Sequence, residues 1–306
     1  SGNPEAGASA TKRLITIEKV PFIISSYSPP TLAAQPICAE HKVLLMQGGG
    51  WSPKLANKPW LYNTRMLASD RIPFVCEYAY KKLGCRKMAT IFDSDPAGRG
   101  SNEIALKKWK ELGGEIVAQE SHELGEKEYK ALLARIKAAK PDVLGIWSFG
   151  DDLGYILKQA KEIGLLPMPA IGQDWTGRLY KIAGEACEGF IIASDYFDVH
   201  GTDPMTRHFV EAYKEKYGEL PEFYAANYYE IVACILKNLV KHVLEKGGNP
   251  WDGQQLHDAL LEIKKFPSVY GGMLEIRPNG TVIKPVAIMK VGKEGKLEII
   301  EKVITK

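Results

Sequence analysis

Three short loops carry the residues whose types and spacing could do chemistry. The first, Ser25-Ser26-Tyr27-Ser28-Pro29-Pro30-Thr31, sets hydroxyls and prolines just ahead of a helical pattern. Proline marks a helix start. A helix N-terminus offers unpaired N–H groups and a partial positive charge, so Ser28 and Thr31 beside it make a carboxylate site that needs no lysine. The second loop, Gln47-Gly48-Gly49-Gly50-Trp51-Ser52, lets the backbone approach a ligand closely at Gly49 and adds an aromatic wall at Trp51. The third, Gly172-Gln173-Asp174-Trp175-Thr176, offers Asp174 as an acceptor for an ammonium group. Capping and turn formation explain each loop about as well. Together they make an ordered series of carboxylate site, aromatic wall and anionic site.

Other chemistry finds less support. Ile146-Trp147-Ser148-Phe149-Gly150 approaches the GxSxG nucleophile elbow, but Ile146 stands where glycine must allow the sharp turn. Asp93 and Asp95 form a DxD pair that could hold a divalent cation, although such residues more often cap the following helix. The 6 histidines, His41, His122, His200, His208, His242 and His257, show no metal-ligand spacing. There is no GxGxxG after a strand, no P-loop and no HExxH. No catalytic set, no metal site and no cofactor is therefore expected, and the protein reads as a binder rather than an enzyme.

The dominant rhythm of the chain is strand, helix, strand. Short apolar runs at 19–25, 42–47, 87–93, 141–150, 167–174 and 188–197 read as buried strands, with a further strand in Gly113–Glu120. Helices are expected near 31–41, 70–82 and 102–112, along the stripe Tyr129, Leu132, Leu133 and Ile136, and along Leu153, Ile156, Leu157, Ala160 and Ile163, this last capped by Asp151 or Asp152 and ended by Gly164. The first residues read as a helix already under way. This alternation means parallel sheets covered by helices on both faces, an α/β class. The carboxyl ends of such strands are where ligands sit, and the three loops fall there. After residue 200 come helices at 204–217 and 222–246, a third holding Leu256 and Leu260, and a tail of short strands. Asn279-Gly280 is a hairpin signal, and this turn also accounts for the Asn279-Gly280-Thr281 glycosylation sequon.

Composition bounds the rest. The 306 residues are 45% hydrophobic and 25% charged, enough for one large or two medium domains. A net charge of +3 spread along the chain argues against a nucleic-acid partner, which calls for a basic patch. No stretch approaches the ~18 apolar residues of a membrane span. The opening residues are not a signal peptide. Of the 5 cysteines, Cys38, Cys187 and Cys234 fall in apolar patterns and read as buried thiols, while Cys76 and Cys85 are left either bridged or free.

With these loops in their order, the sequence resembles the solute-binding proteins of ABC transporters for branched-chain amino acids, the leucine/isoleucine/valine type. The resemblance is carried by FIISSYSPPTLAAQPICAEHKVLLMQGGGWSPKL (22–55), YNTRMLASD (62–70), ATIFDSDPAGRG (89–100), VLGIWSFGDDLGYILKQAKEIGLLPMPAIGQDWTG (143–177), IAGEACEGFIIASDYF (182–197) and FYAANYYEIVACILKNLVK (223–241). Order and spacing over nearly the whole chain, rather than one motif, make it specific. It implies a type I periplasmic binding fold, two doubly wound parallel-sheet lobes joined by three crossover segments and closing on a ligand in a cleft. Lobe one would hold 1–67 and 197–275, and lobe two 68–196 and 276–306. Residue by residue, the resemblance gives Ser28 the ligand carboxylate, Gly49 and Trp51 the next contacts to the same head group, and Asp174 the ammonium. Phe149 or Gly150 falls where the family sets an aromatic over the ligand, and Tyr224 near a lobe-one contact. Ala97 stands in place of a tyrosine and Trp51 in place of a threonine, both departures from an ordinary amino-acid site. The family's first βαβ unit has no counterpart ahead of Ser1, so a truncated chain is expected. The implied partners are a hydrophobic or branched-chain amino acid or related small carboxylate and a membrane permease, outside the cytoplasm. A ligand-sensing domain of the same fold is the alternative.

Overall fold

The alternation of apolar strands and helices resolves, in a computed structural model that describes residues 2–303, into two units between which the chain crosses three times. The first unit comprises residues 2–67 and 195–285, the second 68–194 and 286–303. It opens with α1 (Pro4–Thr16), a helix that begins where Asn3 caps it: Asn3 Oδ1 accepts from Ala6 N at 2.8 Å, with proline in the first turn. The expected mid-pattern start is thus a capped helix start. Next come β1 (Phe22–Ser25), α2 (Ser28–Glu40), β2 (Leu44–Gln47) and β3 (Leu61–Asn63), whose strands form a parallel sheet in the order β1-β2-β3. All four residues of β2 are buried, as a central parallel strand requires.

The second unit follows with α3 (Ala68–Lys81), β4 (Lys87–Asp93), α4 (Pro96–Glu111), β5 (Glu115–His122), α5 (Lys130–Ala138), β6 (Val143–Trp147), α6 (Gly150–Glu162), β7 (Ala170–Gly172), α7 (Tyr180–Ala183) and β8 (Ile191–Asp195). Two helix starts show how capping sets the boundary. α4 begins at Pro96 rather than 102, because Asp95 accepts from Ala97 N and Gly98 N at 2.8 and 2.7 Å and so caps it. α6 begins at Gly150 after Phe149, and Asp151 and Asp152 lie inside its first turn instead of capping it. There they complement the helix dipole.

Back in the first unit, α8 (Pro204–Tyr217) is capped by Asp203. The expected long helix is three pieces: α9 (Phe223–Tyr229), a π segment Glu230–Leu236, and α10 (Lys237–Glu245). α11 (Gly253–Ile263), β9 (Lys265–Pro267) and β10 (Met273–Glu275) follow, the two strands antiparallel. Leu44, Met46, Ile231, Ile235, Leu239, Leu256, Leu260 and Phe266 make the core between this helical run and β2. The turn at Asn279-Gly280 forms, with Gly280 at φ +75°. The first unit runs to 285, past the expected 275, because this turn is tied to β3: Asn279 O accepts from Asn57 N, and Gly280 O from Asn63 N, each at 2.8 Å. The chain ends on β11 (Val286–Val291) and β12 (Leu297–Val303), which complete a seven-stranded sheet ordered β12-β11-β8-β7-β6-β4-β5. Its strands β4 to β8 pair parallel.

All five cysteines are buried and free, Cys76 and Cys85 included. Burial pushes the Cys38 and Cys234 thiols up to about 12, so they stay protonated and unreactive. No described helix is long and apolar enough to cross a membrane.

One contact fixes how α4 meets the end of β4. A Cβ added at Gly98 would lie 2.3 Å from Asp93 O and 2.8 Å from Asp93 Cβ. Gly98→Ala is therefore expected to cost about 1–3 kcal/mol of stability through overpacking. A lower urea midpoint is the expected reading, and an unchanged one would refute the close approach.

Candidate functional site

Each unit gathers polar residues at the carboxyl ends of its parallel strands. In the first unit these ends are Ser25, Gln47 and Asn63. Gln47 is fully buried, and its amide organises the glycine loop: Oε1 accepts from Gly49 N and Gly50 N at 3.0 and 2.6 Å, while Nε2 donates to Gly50 O and to Asn63 Oδ1. Ser28 Oγ accepts from Trp51 N and Ser52 N at 3.2 and 3.1 Å. Gly48 O accepts from Asn227 Nδ2 at 3.2 Å, and Gly49 O from Arg65 Nη1 at 2.6 Å. The loop's amides from Gly49 to Ser52 are thus held by side chains of this unit. Two accepted bonds use both lone pairs of the Ser28 hydroxyl, so its own proton is left to donate.

A side chain at 49 would crowd two neighbouring hydroxyls. An added Cβ would sit 2.6 Å from both Ser26 Oγ and Tyr228 OH. Around this loop the Arg65 guanidinium, fully buried, lies 5.0 Å from the Trp51 ring, 5.1 Å from Phe223 and 4.8 Å from Tyr224, and Nη1 donates to Tyr224 OH at 2.9 Å. Trp51 and Tyr224, 173 positions apart by their numbers (224 − 51), are brought together by that cation. Thr31 is placed differently. Its hydroxyl donates to Tyr27 O at 2.6 Å and takes a bond from Ser25 Oγ at 2.8 Å, so it locks the start of α2. Tyr27 itself sits at φ +59°, a strained backbone next to Ser28.

In the second unit the sheet order sets the ends of β7, β6, β4 and β5 side by side, which are followed by Asp174, Ser148 and Phe149, or are Asp93 and His122 themselves. Asp174 is 7% exposed, and its Oδ1 accepts from Trp175 N at 3.1 Å. The Asp174 loop is anchored on both sides: Arg71 Nη1 donates to Gln173 O at 2.9 Å, and Trp175 Nε1 to Gly295 O at 2.8 Å. Phe149 and Gly150 are half-buried at the start of α6.

Asp93, His122, Ser148 and Asp152 form a buried cluster beside Phe149. Glu123 O can only accept, so His122 Nδ1, 2.9 Å away, carries a proton. Nε2 meets Ser148 Oγ at 2.8 Å and Asp93 Oδ1 at 3.3 Å. In a nucleophilic triad the acid holds Nδ1; here Asp93 faces Nε2, the same nitrogen as the serine, so the cluster lacks that arrangement. Asp93, His122 and Asp152 bring one ligand atom each within 4.8 Å of one another, a spacing that a single metal ion could span, with Asp93 3.3 Å from Nε2 and Asp152 4.0 Å from Nδ1. Asp95 is spent on its cap. Burial, and then the charges of Asp95 and Asp152, push the Asp93 carboxyl up to about 9.

Sequence reasoning missed Gln47, Asn63, Arg65, Asn227 and Tyr228. The available signal was a polar residue closing an apolar parallel strand, as in Leu44-Leu45-Met46-Gln47 and Leu61-Tyr62-Asn63.

Comparison with known proteins bears on this geometry. The model of a family described as periplasmic binding protein matches residues 1–296. The chain is 26% identical over 311 residues to the Leu/Ile/Val-binding protein homolog 1 of Brucella abortus, covering 98% of this chain and 80% of that one. Among solved structures it is similar to a leucine binding protein from Thermotoga maritima, with TM-score 0.89 and 25% identity over 98% of this chain and 85% of that one. It is also similar to a solute binding protein of an ABC transporter from Rhodopseudomonas palustris BisB5 in complex with 3,4-dihydroxy benzoic acid, with TM-score 0.80 and 26% identity over 99% and 84%.

The Asp93 cluster gives a pH test. The folded chain holds the Asp93 proton more tightly than the unfolded chain. This carboxyl therefore favours folding in full below the unfolded value near 4, and that contribution is lost as pH rises through about 9. Asp93→Asn, which cannot ionise, is expected to match the wild type near pH 4 and to gain on it by up to about 1.4 kcal/mol per pH unit toward pH 9. Urea midpoints near pH 4, 7 and 9 check this, and a gap that does not vary with pH rules it out.

Proposed function

The chain belongs to the periplasmic binding protein family, and from that premise we propose that it is the solute-binding component of an ABC importer, taking a hydrophobic or branched-chain amino acid or a related small carboxylate. The observation that carries the ligand class is Ser28. Its oxygen accepts from Trp51 N and Ser52 N, so the hydroxyl proton must go to an acceptor. A ligand carboxylate at this hydroxyl meets the requirement. In this proposal Gly49 lets the protein backbone approach the ligand closely, Trp51 and Tyr224 are its walls in the first unit, and Phe149 or Gly150 its contact in the second. Asp174, a carboxylate in the second unit, accepts from the ammonium. The carrier runs no reaction: it takes up the solute outside the cytoplasm, closes as hinge-type binding proteins do, and offers it to a membrane permease.

A second reading has its own support. The aromatic rings around Arg65 suit an aromatic carboxylate without an ammonium, and the similar protein from Rhodopseudomonas palustris is in complex with 3,4-dihydroxy benzoic acid.

A thermal-shift panel of L-leucine, L-isoleucine, benzoate and 3,4-dihydroxybenzoate separates the two. A ligand at about 100 times its Kd adds about 2.7 kcal/mol, a visible rise in Tm. The first reading expects a rise with leucine or isoleucine, and a loss on the order of 100-fold in their affinity in Asp174→Asn, the weight of a charged hydrogen bond. The same substitution should leave a benzoate unaffected. Leucine bound equally by wild type and Asp174→Asn would remove the aspartate from the site. Shifts confined to the benzoates would make the second reading the right one.

A further inference from the structure

A chain of buried polar contacts leads away from the glycine loop, and no ligand role assigned above uses it. Asn227 is fully buried in α9. Its Oδ1 accepts from Lys284 Nζ at 2.6 Å and from Tyr270 OH at 2.8 Å. An ammonium must meet the oxygen of the amide, so Nδ2 is the atom turned to Gly48 O at 3.2 Å. The side-chain orientation that serves the loop is therefore set by Lys284. Lys284 is held in turn. It is 1% exposed, pairs with the fully buried Glu230 at 2.5 Å, and lies 4.1 Å from the Tyr270 ring centroid. Glu230 takes a further bond from Ser268 Oγ at 2.5 Å.

The backbone around these groups is arranged for the same contact. A Cβ at Gly48 would lie 3.2 Å from Asn227 Cβ, and Thr64 Oγ1 donates to Asn227 O at 3.2 Å. Glu230 is the first residue of the π segment, a helix form concentrated at functional positions. Lys284 is one residue short of the end of the first unit at 285.

A buried lysine–glutamate pair costs much desolvation and is weak grounds for stability alone, since apolar residues of like size often do as well. Its use here is geometric. We propose that Lys284 and Glu230 are positioning residues that fix the Asn227 amide, and through it the Gly48–Ser52 loop that meets the ligand head group. The proposal rests on the solute-binding reading for the purpose of the loop, while the positioning itself is a property of the ligand-free protein.

Asn227→Asp tests it at constant size. The carboxylate keeps, and strengthens, its bonds from Lys284 and Tyr270, but sets an oxygen against Gly48 O. The expected result is a Tm close to wild type together with amide hydrogen exchange in the 47–52 segment faster by about tenfold, the factor one hydrogen bond supplies. Glu230→Met/Lys284→Met replaces the pair by apolar residues and leaves Asn227 without its cation. The same loop-confined acceleration is expected at a retained Tm. Wild-type protection of the loop in both folded variants overturns the proposal, as does acceleration spread over the whole first unit. If the double variant does not fold, Asn227→Asp decides by the same two readouts. Affinity for L-leucine or 3,4-dihydroxybenzoate, whichever the wild type binds, should fall along with loop protection. If the wild type binds neither while the variants loosen the loop, it is the ligand reading that has failed and not the positioning.

Discussion

Parallel strands deliver their chain ends to one side of a sheet, and the turns that leave them must satisfy backbone groups that no neighbouring strand can reach. In the first unit that demand falls on a run of three glycines and the two residues after it. Glycine supplies close approach but no side chain to hold itself. The holding is done from outside: Gln47 takes two amides, Ser28 takes the next two, and Asn227 and Arg65 donate to two carbonyls. Further polar and aromatic contacts of this unit keep those side chains in place. Asn63 fixes Gln47, the rings of Trp51, Phe223 and Tyr224 enclose Arg65, and Lys284 orients Asn227.

The second unit solves the same problem with a different balance of charge. Its strand ends place an acid, a histidine and a serine out of water, with a second acid one turn into α6. Burial decides the outcome, because the cost of ionising Asp93 beside Asp95 and Asp152 exceeds what a nearby backbone N–H returns, and the carboxyl keeps its proton well into the alkaline range. Protonated acid, imidazole and hydroxyl can then exchange hydrogen bonds without an isolated charge. Asp174 stands apart on the neighbouring strand end, where its own backbone supplies one donor at Trp175 N.

Much of this fold was legible in the chain, and the exceptions have causes. β4 and α8 occupy the residues expected from apolar run and periodicity, because their limits are set locally: α8 starts at an Asp-Pro cap and ends at Gly218 in the left-handed region. α4 was read too short because Gly98 and Gly100 look like loop residues, whereas Gly98 is small so that the helix can sit on Asp93. The π segment left no trace in the pattern of Ile231, Ile235 and Leu239, which an ordinary helix would show equally. In the candidate site, Ser28, Gly49 and Trp51 could be singled out from the sequence because their loop chemistry is local. Arg65, Asn227 and Lys284 could not, since their meaning lies in partners such as Tyr224, Gly48 and Asn227 itself, most of them far away in sequence. Thr31 shows the converse: a hydroxyl at a helix start read as a ligand group is spent on the backbone of its own turn.

If the chain carries a solute, as proposed, it must also release it, and the distribution of charge bears on that. Arg65 puts a full positive charge behind the loop, but that charge is enclosed by three rings and committed to Gly49 O and Tyr224 OH. A ligand carboxylate at Ser28 would feel its field and meet a neutral hydroxyl as its donor. A direct guanidinium–carboxylate fork would be tighter and slower to release, since charge-assisted bidentate bonds are roughly twice as strong as neutral ones. On that reading, a cation set one layer back would favour an anion over a neutral solute while leaving the contact itself easily broken. In the proposed site Trp51 and Tyr224 would then serve twice, as walls for the ligand and as the rings that enclose the arginine.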